Sequence, residues 1–256
     1  MNGIVRRAVL AFCILLYLPI PIADAVKNPT HPSALHLNAR QKAEFFLVKK
    51  QYEEALQAYK SLLKNESEDS ALFRGLVKAF AGAGQLQEAE KFIVDHLSSH
   101  PDSSAAQYGL GYTHYLKGDD IRAQTRFEEA VRLKAGNALA WNNWGAALSR
   151  TKSYTLAVDK VKEAIRLDPS NPMYYNNLKR IYREMGSAGL FIADYKRYIK
   201  DGPRIVAQGY GRLIAKTLRQ ESFKYYSEGN LKDAVRKFEE IVVIYKETGY
   251  RAGLVP

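Results

Sequence analysis

Trp141-Asn142-Asn143-Trp144-Gly145, followed by Tyr154, Ala157, Val161, Ala164 and Asp168-Pro169, sets a frame of 34 residues that recurs along the chain. Ala55, Ala89, Ala123 and Ala157 stand 34 residues apart, and Tyr59, Ile93, Phe127 and Val161 follow them in the same register. Gly84, Gly118 and Gly186 keep the period with Lys152 in the skipped place, as do Pro101, Pro169 and Pro203. Each residue type has a physical reason to recur. Glycine turns the chain tightly between two antiparallel helices. Alanine lets their axes approach, where a larger side chain would force them apart. Proline, without an N–H, stops the second helix and suits the first turn of the next.

The segment at 141–169 closely resembles the tetratricopeptide repeat. Gly109-Leu110-Gly111-Tyr112 with Ala123, Phe127 and Ala130 looks like the same unit, as does Phe73-Arg74-Gly75-Leu76 with Phe80, Ala89 and Pro101. The resemblance implies an all-α fold, a right-handed superhelical solenoid of antiparallel helix pairs. Six units follow: 36–69, 70–103, 104–137, 138–171, 172–205 and 215–248. Five thus fill 36–205. The fifth is degenerate, with Phe191 where the small residue belongs and Gly189 before it, so its second helix is expected to shift or fray. Residues 206–214, with Gly209 and Gly211, read as an insertion that bends the array, and 249–256 as a C-terminal tail.

Ahead of the repeats, Arg6 and Arg7 precede an apolar run from Ala8 to Leu18, then Pro19, Pro21 and the small-x-small triplet Ala23-Asp24-Ala25. That order reads as a secretory signal peptide over 1–25, cut after Ala25. The alternative is an uncleaved membrane anchor, for which the run is short of the roughly 20 apolar residues a spanning helix needs. Residues 26–35, with Pro29 and Pro32, read as an extended leader. An exported protein of the periplasm or exterior is the expectation. The one cysteine, Cys13, lies inside the signal segment, so the mature chain has no disulfide, thiolate metal site or cysteine nucleophile. Cleavage lowers the formal net charge from +11 to +10, by loss of two Arg and one Asp. In an exported protein this positive charge points to acidic proteins, anionic polysaccharide or a lipid surface rather than to nucleic acid. Membrane contact is expected through an uncleaved N-terminus or the basic surface alone.

In tetratricopeptide arrays the first helix of each unit lines the concave groove, and residues three or four apart share one face. The outward positions here are Arg40, Arg74, Lys78, Tyr108, Tyr112, Tyr115, Asn142, Asn176, Arg180, Arg183 and Arg219, with Phe223 and Tyr226 at the end. Asn143 and Asn177 stand one place on, where family members use an amide to grip peptide backbone. The groove therefore reads as basic and tyrosine-rich, with Glu44 its main carboxylate, and suits an extended acidic peptide. Two readings stand side by side: these side chains meet a partner, or the tyrosines pack between units and the cations are solvated. The carboxylate clamp of chaperone-binding members is absent, because Tyr108, Tyr112, Asn142 and Ala146 occupy its places. Residues 172–205 are the densest basic region, with seven Lys and Arg against three acids.

Motifs for chemistry are lacking. His96 and His100 are four apart but have no evident third ligand for a metal. Gly82-Ala83-Gly84 and Gly209-Tyr210-Gly211 match no phosphate fingerprint, and no Gly-x-Ser-x-Gly or His-Glu-x-x-His element occurs. The expectation is a non-catalytic envelope scaffold with no cofactor and no metal. The alternative is self-association into a homo-oligomer, motivated by the 206–214 insertion and the apolar tail Ala252–Pro256.

Overall fold

The computed structural model describes residues 37–249; the expected signal segment 1–25, the leader 26–35 and the tail beyond Gly249 lie outside the described residues. Among the described residues all regular structure is helical. Helices α1 (Ala39–Val48) and α2 (Tyr52–Leu63) are followed by α3 (Ser70–Gly82), α4 (Leu86–Ser99), α5 (Ser104–Lys117) and α6 (Asp120–Leu133). Then come α7 (Ala138–Arg150), α8 (Tyr154–Leu167), α9 (Pro172–Glu184), α10 (Leu190–Asp201), α11 (Arg204–Ser227) and α12 (Leu231–Thr248). The chain divides into two compact bodies, one of residues 37–168 with 177–187, the other of 169–176 with 188–249.

From α1 to α8 each helix packs on the next, and alternate helices pack as well: α1 on α3, α3 on α5, α5 on α7. The starts of the first helices are capped by side chains that take up otherwise orphaned N–H groups. Asp69 accepts from Ala71 and Leu72, Ser103 from Ala106, Asn137 from Ala140, and Asn38 forms a capping box with Gln41. Between the helices of a pair, position 118 turns the chain with φ of 83°. That left-handed conformation favours glycine, yet the same place in two other units holds Lys50 and Lys152, with φ of 60° and 64°.

The periodic alanines Ala55, Ala89, Ala123 and Ala157 are all fully buried, as are Ile93, Phe127 and Val161 four residues on. The approach they permit is close. A Cβ on Gly145 would lie 2.5 Å from Val161 Cγ2 and 2.8 Å from the Ala157 carbonyl oxygen. Removing Phe127 would lose both transfer energy and packing, which costs about 3–5 kcal/mol for such a core ring.

The second body is built differently. Phe191 stands where the alanine would, is buried, and α10 begins at 190, two residues later than the 34-residue spacing from α8 gives. Its ring joins those of Tyr175 and Tyr198 around Tyr210, with centroids 4.8, 5.1 and 5.5 Å from the Tyr210 ring. Residues 206–214, the expected insertion, are helical. They form the first part of the 24-residue α11, with Val206, Ala207 and Tyr210 in the core, because the extra residues keep an apolar face toward α10 and α12. Arg204 Nε and Gln208 Nε2 both donate to the Thr248 carbonyl oxygen at the end of α12, at 2.9 and 3.1 Å.

Candidate functional site

Four first helices of the first body, α3, α5, α7 and the later part of α9, carry a continuous row of the side chains expected to meet a partner. Arg74 on α3 hydrogen-bonds the Tyr112 hydroxyl on α5. Lys78, one turn further on, is pushed below the ordinary lysine value by burial first and by the Arg74 charge second, with Glu44 opposing. Tyr112 stacks between Tyr108 and Tyr115, its ring 6.2 and 6.4 Å from theirs. Burial of Tyr112 raises its hydroxyl pKa above the usual tyrosine value, and Arg74 opposes that shift.

From Tyr108 the row continues as a ladder of amides. Asn143 Nδ2 donates to the Tyr108 hydroxyl at 3.0 Å, Asn142 Nδ2 to Asn143 Oδ1 at 2.8 Å, and Asn177 Nδ2 to Asn142 Oδ1 at 2.9 Å. Tyr108, Asn142 and Asn143 are buried, so they are not the surface contacts the helical register implies. The adjacent helices come close enough for these groups to satisfy one another, and a buried polar group so paired costs far less than an orphaned one. They form a floor; Tyr112, Tyr115 and Asn177 stand partly exposed beside it.

Two participants escape the sequence reading. Arg150 lies 4.5 Å above the Tyr115 ring, donates to the Tyr115 carbonyl oxygen at 2.9 Å and pairs with Asp120 at 3.2 Å. Glu184 accepts from Ser149 at 2.6 Å and pairs with Arg180 at 2.7 Å. Burial works against the Glu184 charge, but the hydrogen bonds from Ser149 and Arg180 hold its carboxyl below the usual range. The signal was available: Arg150 and Glu184 each fall seven residues after Asn143 and Asn177, on the same helical stripe. Glu184 also makes this end of the row less basic than expected, since Arg180 is paired within its own helix.

The other expected residues do not join the row. Arg40 is exposed and bound to Glu66 and Asp69, whose hydrogen bonds raise its pKa, so its guanidinium is engaged locally. Arg183 is exposed on α9. Asn176 turns back on its own helix and donates to the Pro172 carbonyl oxygen at 2.7 Å. Arg219, in the second body, donates to the Tyr245 hydroxyl at 3.0 Å, and Phe223 and Tyr226 are exposed there. His96 and His100 stack ring on ring at 4.4 Å, and among the described residues no cluster of three metal-ligating side chains occurs.

Two stretches of the chain match models of the tetratricopeptide repeat, residues 47–110 and residues 122–172. Among curated proteins, the chain is similar to the BBSome complex member BBS4 of Bos taurus, 24% identical over 174 residues, which is 66% of this chain and 33% of that protein. It is 40% identical over 63 residues to the tetratricopeptide repeat domain-containing protein PYG7, chloroplastic, of Arabidopsis thaliana, covering 25% of this chain and 20% of the relative. The chain thus spans a third or less of the length of these two relatives. Among solved structures, TTC0263, a thermophilic TPR protein of Thermus thermophilus, aligns over 65% of this chain and 91% of its own with a TM-score of 0.50 and 18% identity. Residues 47–110 and 122–172 are therefore tetratricopeptide repeats, all-α helix pairs of the class that serves generally as protein-interaction scaffolding.

Proposed function

We propose that the chain is a non-catalytic adaptor that holds an extended, acidic stretch of another protein along the row from Arg74 to Asn177. The observation that carries this reading is the continuity of the row: hydrogen bonds and ring stacking link Arg74, Tyr112, Tyr108, Asn143, Asn142 and Asn177 across four helices. A floor so fixed loses little freedom when a ligand lies on it, which favours binding. Tyr112 and Tyr115 offer flat apolar faces, Asn177 keeps an amide oxygen and a second N–H for peptide backbone, and the acidic part of the ligand lies over Arg74 and Lys78. Self-association is less favoured, because the 206–214 segment, one of the two features that motivated it, is helical and largely buried, while the other, the tail Ala252–Pro256, lies outside the described residues.

The test is capture of proteins from an envelope fraction by the purified protein, at low and raised salt, compared with the double variant Arg74→Glu, Lys78→Glu and with Tyr112→Ala. Capture that salt weakens, and that the charge-reversed pair lowers by about tenfold or more with helicity unchanged, supports the groove. Undiminished capture by the charge-reversed variant sinks it.

The cellular setting is part of the proposal. Arg6-Arg7, the apolar run Ala8–Leu18 and Ala23-Asp24-Ala25 support export. Mass spectrometry of the protein from its native cells, showing a chain that starts at Val26, agrees with this; a chain starting at Met1 in the cytosolic fraction contradicts it.

A further inference from the structure

The two tryptophans of the chain, Trp141 and Trp144, both lie on α7 and border an open cleft of about 600 Å³ that is lined also by residues of α6 and by Lys160 of α8. At 100° per residue they point about 180° away from Asn142 and Asn143, so this is not the peptide row. In neighbouring units the equivalent places hold Phe73 and Leu76, Gln107 and Leu110, and Tyr175 and Leu178, all buried. Trp141 and Trp144 are partly exposed instead. Core packing at these places is accomplished by smaller or fully covered side chains in every one of those units; here two large rings keep part of their area in the cleft.

The indoles are stacked with centroids 5.5 Å apart and 24° between planes, and Trp141 is anchored by its Nε1, which donates to the Ala135 carbonyl oxygen at 2.8 Å. Lys160 of α8 covers them, its ammonium 4.0 Å from the Trp144 centroid and 5.0 Å from that of Trp141. Arg126 and Arg132 on α6 add two more cations to the wall. Glu129 is taken up by Arg132, with two guanidinium nitrogens within 2.7 Å, and the exposed Glu128 is the other acid of the lining. The wall is net positive by one charge, three cations against two acids.

We propose that this cleft is a second binding site, for an acidic segment of another protein that places an aromatic side chain on the indoles. A carboxylate beside that ring draws the Lys160 ammonium off the indole faces, exchanging a cation–π contact for an ion pair, and the incoming ring takes its place. The cleft's volume lies within the range of small-ligand pockets and admits one aromatic side chain with its neighbours. Tryptophan is also the residue type most enriched where interface energy concentrates.

Because both tryptophans sit here, intrinsic fluorescence excited at the indole edge reports on this site alone. The protein and its Lys160→Glu variant are titrated with a capped Asp-Asp-Phe-Asp-Asp peptide and with its Lys-Lys-Phe-Lys-Lys and Asp-Asp-Ala-Asp-Asp counterparts. The expected result is a saturable emission change with the first peptide, weaker by about tenfold or more with either counterpart and in Lys160→Glu. The Arg74→Glu, Lys78→Glu protein should respond as the parent does, which separates this site from the peptide row. No saturation below about 1 mM, a midpoint corresponding to roughly 4 kcal/mol of binding, overturns the proposal. So does equal affinity for the lysine-flanked peptide, or an unchanged response in Lys160→Glu.

Discussion

The chain solves one packing problem in two opposite ways. In the body of residues 37–168 and 177–187, the second helices approach the first through alanine: Ala55, Ala89, Ala123 and Ala157 are all fully buried at 34-residue intervals. In the body of residues 169–176 and 188–249, α12 keeps the alanine, as the fully buried Ala234, but on α10 Phe191 takes that place, the helix starts two residues late, and the ring fills space beside Tyr210. A small residue brings backbones together; a large one holds them apart and replaces the lost contact with its own surface. The first solution repeats and can be read from spacing. The second is particular to its surroundings.

Exchanging the two solutions is the strongest way to break this contrast. Phe191→Ala leaves a cavity where the aromatic cluster was and is expected to cost about 3–5 kcal/mol. Ala157→Phe forces a ring against the Gly145 contact and is expected to cost about 1–3 kcal/mol or more by overpacking. Urea unfolding of the two variants measures both. A neutral Phe191→Ala would show that α10 can close onto the regular spacing, and the supposed difference between the bodies would reduce to a choice of side chain.

The same contrast explains how much the sequence disclosed. The 34-residue frame locates helix pairs through the periodic alanines, glycines and prolines, because each enforces a backbone requirement. It marks residues 206–214 only as an insertion with two glycines; in place Gly209 and Gly211 face Tyr175 and the end of α12, and only the partner helix reveals that their missing side chains serve packing. The candidate row was half legible. Helical register identifies the face, but whether Asn142 and Asn143 meet solvent or each other depends on the distance between neighbouring helices, which spacing along one chain does not specify. The indole cleft was hidden for the converse reason: tryptophan at an expected core position gives no sign that its neighbours fail to cover it.

Acid sharpens the comparison at an intermediate scale. Both histidines with depressed pKa values, His96 and His114, lie in the first body, and in each case burial is the leading cause. His114 is enclosed on α5, and its Nδ1 has no hydrogen-bond partner among the described residues. Glu90 and Asp119 draw its pKa up while Arg122 and Arg126 push it down. A neutral imidazole in the fold and a readily protonated one in the unfolded chain mean that the unfolded state binds more protons below the ordinary histidine value of about 6.5. The stability this contributes is present above that pH and is lost as pH falls through the depressed folded value. The expected outcome is a steeper acid-side loss of stability in the parent than in His114→Phe, followed by chemical denaturation between about pH 7 and pH 5. Parallel curves would remove His114 from the account.

The smallest expected effect concerns the turn that the first body repeats most faithfully. Lys152 occupies the left-handed conformation that Gly118 and Gly186 take in neighbouring units, with φ of 64° against 83° and 76°. A lysine there bears the clash of its Cβ with backbone, roughly 1–2 kcal/mol, while glycine would escape it at an entropic cost of about 0.5–1 kcal/mol in the unfolded chain. The difference favours Lys152→Gly by up to about 1.5 kcal/mol. Gly118→Ala, carrying the strain in the other direction, should lose a comparable amount. Matched shifts of opposite sign in the urea midpoint, with unchanged slope, would establish that the turn is one structural position with two occupants. If Lys152→Gly instead destabilises, then the lysine stem contributes packing that outweighs its backbone strain, and the 34-residue frame would mark where the chain turns without fixing what each turn costs.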